Sequence, residues 1–284
     1  MKFMAGGPNG MIGKLNIAAF LAQAMQETIR YDVCDENNWD FYNGVYPASN
    51  SCGQLGRNYQ DYTCPVGSPY QGMECPLNSS MRCSASTNAK WYGAPPPLFG
   101  APQNITGQYT PGWSYNVSCG TKCNVYPGQQ AGAWIYGIYR NRAGRTDTEN
   151  CVWWGRGVIQ LTGRCEFGTL NHYLGSQAGA QAIYPDVNLC QDPSQICASI
   201  KYPELKWISG LFYWLQSVQT YNDSSWDFQT EITKLAADPT NQAFRSAFIN
   251  AISGIVNKGS ASAIANAQAT RANNFEITFS IFAT

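Results

Sequence analysis

The sequence predicts a mainly α-helical protein that carries one long segment of irregular structure. Apolar residues recur at helical spacing near the start of the chain and again over its last part. Between them, residues 34–150 are rich in Cys, Pro, Gly, Tyr and Asn and show no helical period. Strand and helix patterns do not alternate, so a parallel α/β sheet is not expected.

The first predicted helix spans residues 12–29. Its apolar positions recur every three or four residues, as on one face of a helix: Ile12, Leu15, Ala19, Ala22 and Met25. Glu27 is the only acidic residue of this otherwise apolar stretch. Burial among apolar side chains favours the protonated form of a carboxyl group, which is the form a general acid needs. Taken alone, the simpler interpretation is a Glu that faces solvent.

The irregular segment carries the cysteine signal. The chain has 11 cysteines and 1 histidine, and eight of the cysteines lie between Cys34 and Cys151. Cys119 and Cys123 have the spacing of half a zinc site, but further ligands are missing, which favours disulfides and an oxidising compartment. We expect most of the eight to pair with each other, because so long a loop needs crosslinks. The odd count leaves at least one thiol free or joined to another chain.

Helical patterns return after residue 162. The first expected helix covers residues 163–174. Two more open at Asp192-Pro193, in a segment that includes Ile196 and Ile200, and at Pro203. A fourth is capped by Thr240, and the last covers residues 262–282.

Composition limits the class of function. Charged residues make up 13% of the chain, the formal net charge is zero, and no basic stripe is present, which argues against nucleic-acid binding. Aromatic residues also make up 13%, and their rings suit the C–H faces of sugars as well as a protein core. No run of about 18 apolar residues is present to span a membrane.

Four sequons favour secretion and glycosylation: Asn78, Asn104, Asn116 and Asn222. Residues 1–8 lack the apolar core of a signal peptide, so a leader has been removed or the chain is a piece of a longer one.

Residues 154–164 form the most specific motif, Trp-Gly-Arg-Gly-Val-Ile-Gln-Leu-Thr-Gly-Arg. Its glycines allow a tight turn, and Gln160 and Thr162 offer an amide and a hydroxyl that can hold a sugar hydroxyl or a water. The motif resembles the signature Tyr-Gly-Arg-Gly-Pro-Ile-Gln-Leu-Ser/Thr of glycoside hydrolase family 19, the inverting chitinases. Residues 18–28 resemble the family helix that carries its general acid. Shorter likenesses follow in residues 184–193, 212–214 and 254–259, and at Arg271.

The resemblance implies a lysozyme-like, two-lobed α-helical domain. Residues 1–33 and 151–284 would form that domain, and residues 34–150 would be a disulfide-stapled insertion without a family counterpart. No cofactor and no metal are implied.

The resemblance also implies a role for each matched residue. Glu27 stands where the family has its general acid, and Thr162 where a hydroxyl orients the attacking water. Gln160 and Asn257 stand at sugar-binding positions, and Arg271 matches a late Asn-Arg pair. We expect Glu27, Gln160, Thr162 and Asn257 to line one groove.

The second carboxylate of an inverting enzyme is missing from its usual place. Glu36 is the first candidate for this base, ahead of Asp35, Asp32 and Glu74. Glu166 replaces a substrate-binding Asn of the family, and is either a carboxylate in the cleft or an ion-pair partner of Arg156 or Arg164.

Three further alternatives stay open. Arg156 is expected to tie loops together through carbonyl groups. Thr162 is alternatively a helix N-cap, with Glu166 one residue past the capping-box position.

The cysteines, the sequons and the signature motif together favour a secreted protein that acts on chitin or a related polysaccharide. The alternative is an inactive relative that binds glycans or assembles with itself or with an extracellular matrix; a peptidoglycan-cleaving enzyme is a more distant third.

Overall fold

The computed structural model describes residues 10–31, 34, 62–76, 98–99, 153, 155–193, 195–265 and 267–283. Within these ranges the chain is mainly helical, as the sequence predicts. The strand-like pairings found there are two isolated bridges, between Arg156 and Leu161 and between Asn222 and Asp227. No helix of the described ranges is long and apolar enough to cross a lipid bilayer.

Seven α-helices lie in the described part of the chain: α1 Gly10–Glu27, α2 Gly163–Tyr173, α3 Gln195–Ala198, α4 Leu205–Tyr213, α5 Phe228–Ala237, α6 Gln242–Lys258 and α7 Gln268–Ala283. Short 3-10 segments cover Ile29–Tyr31 and Ser176–Gln181, and a π-helical turn, Trp214–Val218, follows α4.

The chain divides into two compact units. The first combines Met1–Tyr31 with Gly210–Thr284, and the second is Asp32–Ser209. The predicted division at residues 33 and 150 stays a prediction, because most of residues 34–150 lies outside the described ranges.

The core of the first unit forms around α1, which packs against α5, α6 and α7. Helix α7 runs antiparallel to α1, because the Thr278 hydroxyl donates to Ala18 O at 3.1 Å and the Asn274 amide donates to Ala22 O at 3.5 Å. The side chain of Trp214 is fully buried and donates to Asn16 Oδ1 at 2.8 Å. Since α1 is buried on several sides, its polar residues need such partners.

Among the described residues, three disulfides hold the second unit: Cys34–Cys197, Cys64–Cys165 and Cys75–Cys190. Disulfide bonding, predicted from cysteine usage, is thus confirmed, but the predicted pairing within 34–151 is wrong for these three cysteines. Each joins the irregular segment to residues 165–197, where helices and buried side chains supply the framework that the segment lacks. The remaining cysteines lie outside the described residues.

The helices differ from the sequence prediction in several places, among them the starts of α1 and α7, which lie at Gly10 and Gln268 rather than at residues 12 and 262. The segment that opens at Asp192 contains only the single turn α3. Helix α6 is capped by Asn241, whose side chain accepts from the N–H of Phe244 at 3.1 Å, and not by Thr240. Helix α5 was not predicted, although Asp227 caps it by accepting from the N–H of Thr230.

Candidate functional site

The signature segment folds into a tight loop that ends at the start of α2. The N–H of Arg156 donates to Leu161 O at 3.1 Å, and the N–H of Leu161 donates to Arg156 O at 2.8 Å. Gly157 has a φ of +78°, and a Cβ there would lie 2.1 Å from Ser209 Oγ and 2.9 Å from Lys206 O. Both the backbone conformation and the close approach of α4 therefore require glycine at this position.

Gln160 fixes the same loop. Its φ of +62° is uncommon for a residue other than glycine. Its side-chain Nε2 donates to Cys34 O at 3.1 Å and to Gly157 O at 3.0 Å, which ties the loop to the Cys34–Cys197 bridge. Oε1 of Gln160 has no hydrogen bond within the described ranges, so it is the atom that can accept from a ligand.

Thr162 stands at the N-cap position of α2 but does not cap the helix. Its backbone is extended, with φ −133° and ψ 149°, and its side chain makes no capping hydrogen bond. The N-cap interpretation therefore holds for the position of Thr162 and not for its hydroxyl. This half-buried hydroxyl is available to a water or a sugar.

The two arginines of the signature have structural contacts. The Arg156 side chain is fully buried, and its guanidinium lies 5.6 Å from the centroid of the Phe167 ring. Arg164 Nη1 donates to Cys75 O at 2.9 Å. Arg164 thus makes a tie through a carbonyl of the kind expected for Arg156, and the expectation for Arg156 itself stays a prediction.

Glu166 lies in the first turn of α2, four residues after Thr162. Its Oε2 is buried and accepts no hydrogen bond within the described part of the chain. No ion pair with Arg156 or Arg164 forms there, so the ion-pair interpretation is not supported. Burial raises the pKa of the Glu166 carboxyl from 4.5 to about 7.

In the first unit, Glu27 is the centre of a cluster built by three helices. It ends α1, Asn257 lies in the last turn of α6, and Arg271 lies in the first turn of α7. Glu27 Oε1 accepts from Asn257 Nδ2 at 3.3 Å and from Arg271 Nη2 in a short ion pair. The Glu27 side chain is 24% exposed and that of Arg271 only 3%, so the carboxylate faces solvent while the arginine supports it from inside.

A second polar contact lies one helical turn below this cluster. Gln23 and Ser253 precede Glu27 and Asn257 by four residues each, and Gln23 Nε2 donates to Ser253 Oγ at 2.9 Å. The Ser253 hydroxyl in turn donates to Ile249 O at 2.7 Å. These fully buried side chains fix the register of α1 against α6, and hence the approach of Asn257 to Glu27. Sequence reasoning did not single out either residue; their spacing from Glu27 and Asn257 is the signal that would have found them.

Several predicted residues lie outside the described ranges. Glu36, Asp35 and Asp32, the leading candidates for the second carboxylate, are among them, as are Asn78, Asn104 and Asn116. The fourth sequon residue, Asn222, is exposed, as a glycosylation acceptor must be.

The common groove of Glu27 with Gln160 and Thr162 stays a prediction, because these residues belong to different units. Within the described part, no group of three His, Cys, Asp or Glu side chains is placed to hold a metal ion. Comparison with protein-family models and with curated proteins finds no match for this chain. The functional argument therefore rests on the motifs and on the geometry of each unit.

Proposed function

We propose that this chain is a secreted, chitinase-like glycoside hydrolase that cleaves β-1,4-linked N-acetylglucosamine polymers with inversion. One observation carries the proposal: Glu27, Asn257 and Arg271 meet around a single carboxylate oxygen. These residues are 230 and 244 positions apart in the chain, and the motif resemblance gives each of them a place in the site. The resemblance also underlies the lysozyme-like, two-lobed fold that we propose for the whole domain.

Glu27 is the proposed general acid. Because Oε1 already accepts two hydrogen bonds, Oε2 is the oxygen that carries the proton to the leaving glycosidic oxygen. Arg271 and Asn257 hold the carboxyl group in one orientation. Thr162 is proposed to orient the attacking water and Gln160 to accept from a sugar hydroxyl. The reaction needs a second carboxylate about 6.5–9.5 Å from the first, for which Glu36 remains the first candidate.

Three disulfides support an extracellular location, where thiols are oxidised and cell-wall polysaccharides are found. Glycosylation at the exposed Asn222 is part of the same proposal.

The test is hydrolysis of N-acetylglucosamine oligomers by the purified full chain. Glu27→Gln keeps the shape and accepting oxygen of the side chain but removes the transferable proton, so turnover should fall about 10²–10⁴-fold while oligomer binding persists. The matched control is Glu231→Gln, which removes a partly exposed carboxylate paired with Lys234 in the same unit and should leave turnover unchanged. Proton NMR of the first product should show the α-anomer. Equal turnover by wild type and Glu27→Gln would refute the assignment.

The Arg271 contact also favours a second candidate function. A carboxylate held by an arginine can bind sugar hydroxyls without delivering a proton, as in a glycan-binding or matrix protein that has lost catalysis. Binding of the oligomers with no turnover by the wild-type chain would favour this candidate.

A further inference from the structure

In the second unit, one surface of α2 takes part in the proposed reaction only through Thr162. Glu166 and Tyr173 are seven residues apart in α2, so they lie on one face of the helix, and the N-cap residue Thr162 precedes Glu166 by four residues. Tyr70, from the loop of residues 62–76, lies beside this face: its ring centroid is 6.4 Å from that of Tyr173, with an interplanar angle of 67°. We call Tyr70, Thr162, Glu166 and Tyr173 the α2 face.

The loop is fixed firmly against α2. The Cys64–Cys165 bridge joins it to the helix, and the N–H of Cys75 donates to Arg164 O at 3.1 Å. A Cβ at Gly168 would lie only 2.0 Å from Met73 O, so the loop backbone packs directly on the helix. Tyr70 is therefore held in place against α2, beside Tyr173.

Glu166 is the unsatisfied group of the α2 face. The residue is half-buried, and its Oε2 has no hydrogen-bond donor within the described ranges. A carboxylate removed from water without a partner is unfavourable, and a cation that donates hydrogen bonds relieves the cost. The loop of residues 62–76 contains no Lys, Arg or His, so it supplies no cation at this position.

The two tyrosines also favour a cationic ligand at the α2 face. The ring contact places Tyr70 beside Tyr173, and burial, followed by Tyr173 and Glu166, raises the pKa of Tyr70. An aromatic ring face attracts a cation and also packs against the C–H face of a sugar. Tyr173 is 48% exposed, so this part of the face is open to a ligand.

We propose that the α2 face binds the protonated amine of a glucosamine unit, so that the protein prefers partly deacetylated chitin over the fully acetylated polymer. The amine pairs with Glu166 through Oε1, because Oε2 is shut off from the surface. The sugar ring packs on Tyr70 and Tyr173, and the Thr162 hydroxyl bonds a sugar hydroxyl. A neutral N-acetyl group offers no charge to Glu166. This inference rests on the proposed function for its polymer class and adds the chemical group that one subsite selects.

The experiment is calorimetric titration of the full chain at pH 7 with two tetramers, one of N-acetylglucosamine and one of glucosamine. Glu166→Gln should weaken binding of the glucosamine tetramer about 30-fold or more and barely change binding of the acetylated one. Tyr173→Leu, at an exposed position, should also weaken the glucosamine tetramer, and this second variant keeps the test valid if Glu166→Gln folds poorly. Glu231→Gln again serves as the control for removing one negative charge.

The outcomes separate the two proposals. Equal affinity of wild type and Glu166→Gln for the glucosamine tetramer overturns the amine subsite, even if the acetylated polymer is cleaved. Amine-selective binding without turnover of any oligomer supports the subsite and refutes the hydrolase. Competition with spermidine tests sugar recognition: release of the tetramer by an equal concentration of this linear polyamine would overturn the sugar part of the inference.

Discussion

The unpartnered carboxyl of Glu166 makes the stability of the protein depend on pH in an unusual direction. Burial raises its pKa in the folded state from 4.5 to about 7. Between these values the folded chain keeps a proton on Glu166 that the unfolded chain has lost. Stability therefore falls as pH rises from about 4.5 to about 7, and is constant on either side as far as this group is concerned.

The size of the effect follows from the size of the shift. A change from 4.5 to about 7 corresponds to about 3 kcal/mol at most, since one pKa unit is equivalent to about 1.4 kcal/mol. Glu166→Gln removes the ionisation while keeping the shape of the side chain. The difference in unfolding free energy between this variant and the wild type should therefore change by up to about 3 kcal/mol in favour of the variant as pH rises from 4 to 8.

Urea unfolding of both chains at several pH values, with disulfides intact, measures this difference. Glu231→Gln, which removes a partly exposed carboxylate paired with Lys234, should instead follow the wild-type curve to within about 1 kcal/mol. If the wild-type and Glu166→Gln curves stay parallel from pH 4 to pH 8, Glu166 is not an unpaired buried carboxyl and the amine subsite loses its physical basis.

Two further predictions concern the signature segment. Thr162→Ala should leave the unfolding free energy within about 0.5 kcal/mol of wild type, because its hydroxyl caps nothing, while kcat on chitin oligomers falls; a stability loss near 1 kcal/mol would show instead that the hydroxyl caps α2. Gly157→Ala should destabilise by at least about 2 kcal/mol more than Gly67→Ala. Both glycines have a φ of +78°, but only at Gly157 would a Cβ meet other atoms, at Ser209 and Lys206, so this pair isolates the steric cost. Equal losses in thermal unfolding would mean that the close approach of α4 is unimportant.

Most helices could be predicted from local sequence patterns. Where a helix cap or a whole helix was missed, the reason is also local. The spacing from Leu15 to Ala22 predicted α1 because one face of it is apolar. Thr240 was mistaken for a cap because its hydroxyl, an ordinary capping group, bonds Asp238 instead. Helix α5 was readable in retrospect: Asp227 precedes Phe228, Ile232 and Leu235, which are all buried.

Long-range features were not readable from periodicity or spacing. Spacing says nothing about which cysteines pair, so the bridges from Cys64 and Cys75 to residues beyond 160 were missed. The meeting of Glu27 with Arg271 was open to sequence reasoning only through the motif resemblance. The positive φ of Gln160 and its side-chain bonds to Cys34 O and Gly157 O were likewise not predicted by any sequence pattern.

The disulfide pattern has a consequence for how the protein is made. Synthesis proceeds from the N-terminus, and the three partners Cys165, Cys190 and Cys197 lie within one short window late in the second unit. Cys34, Cys64 and Cys75 must therefore wait, as thiols or in temporary pairings, until the ribosome has delivered at least 101 further residues after Cys64. The bridges from Cys64 and Cys75 also interlock, since each closes a loop that contains one end of the other. The three bridges thus form only after this window emerges, and any temporary pairing of the early cysteines must first be undone by thiol exchange, a step that a disulfide isomerase accelerates.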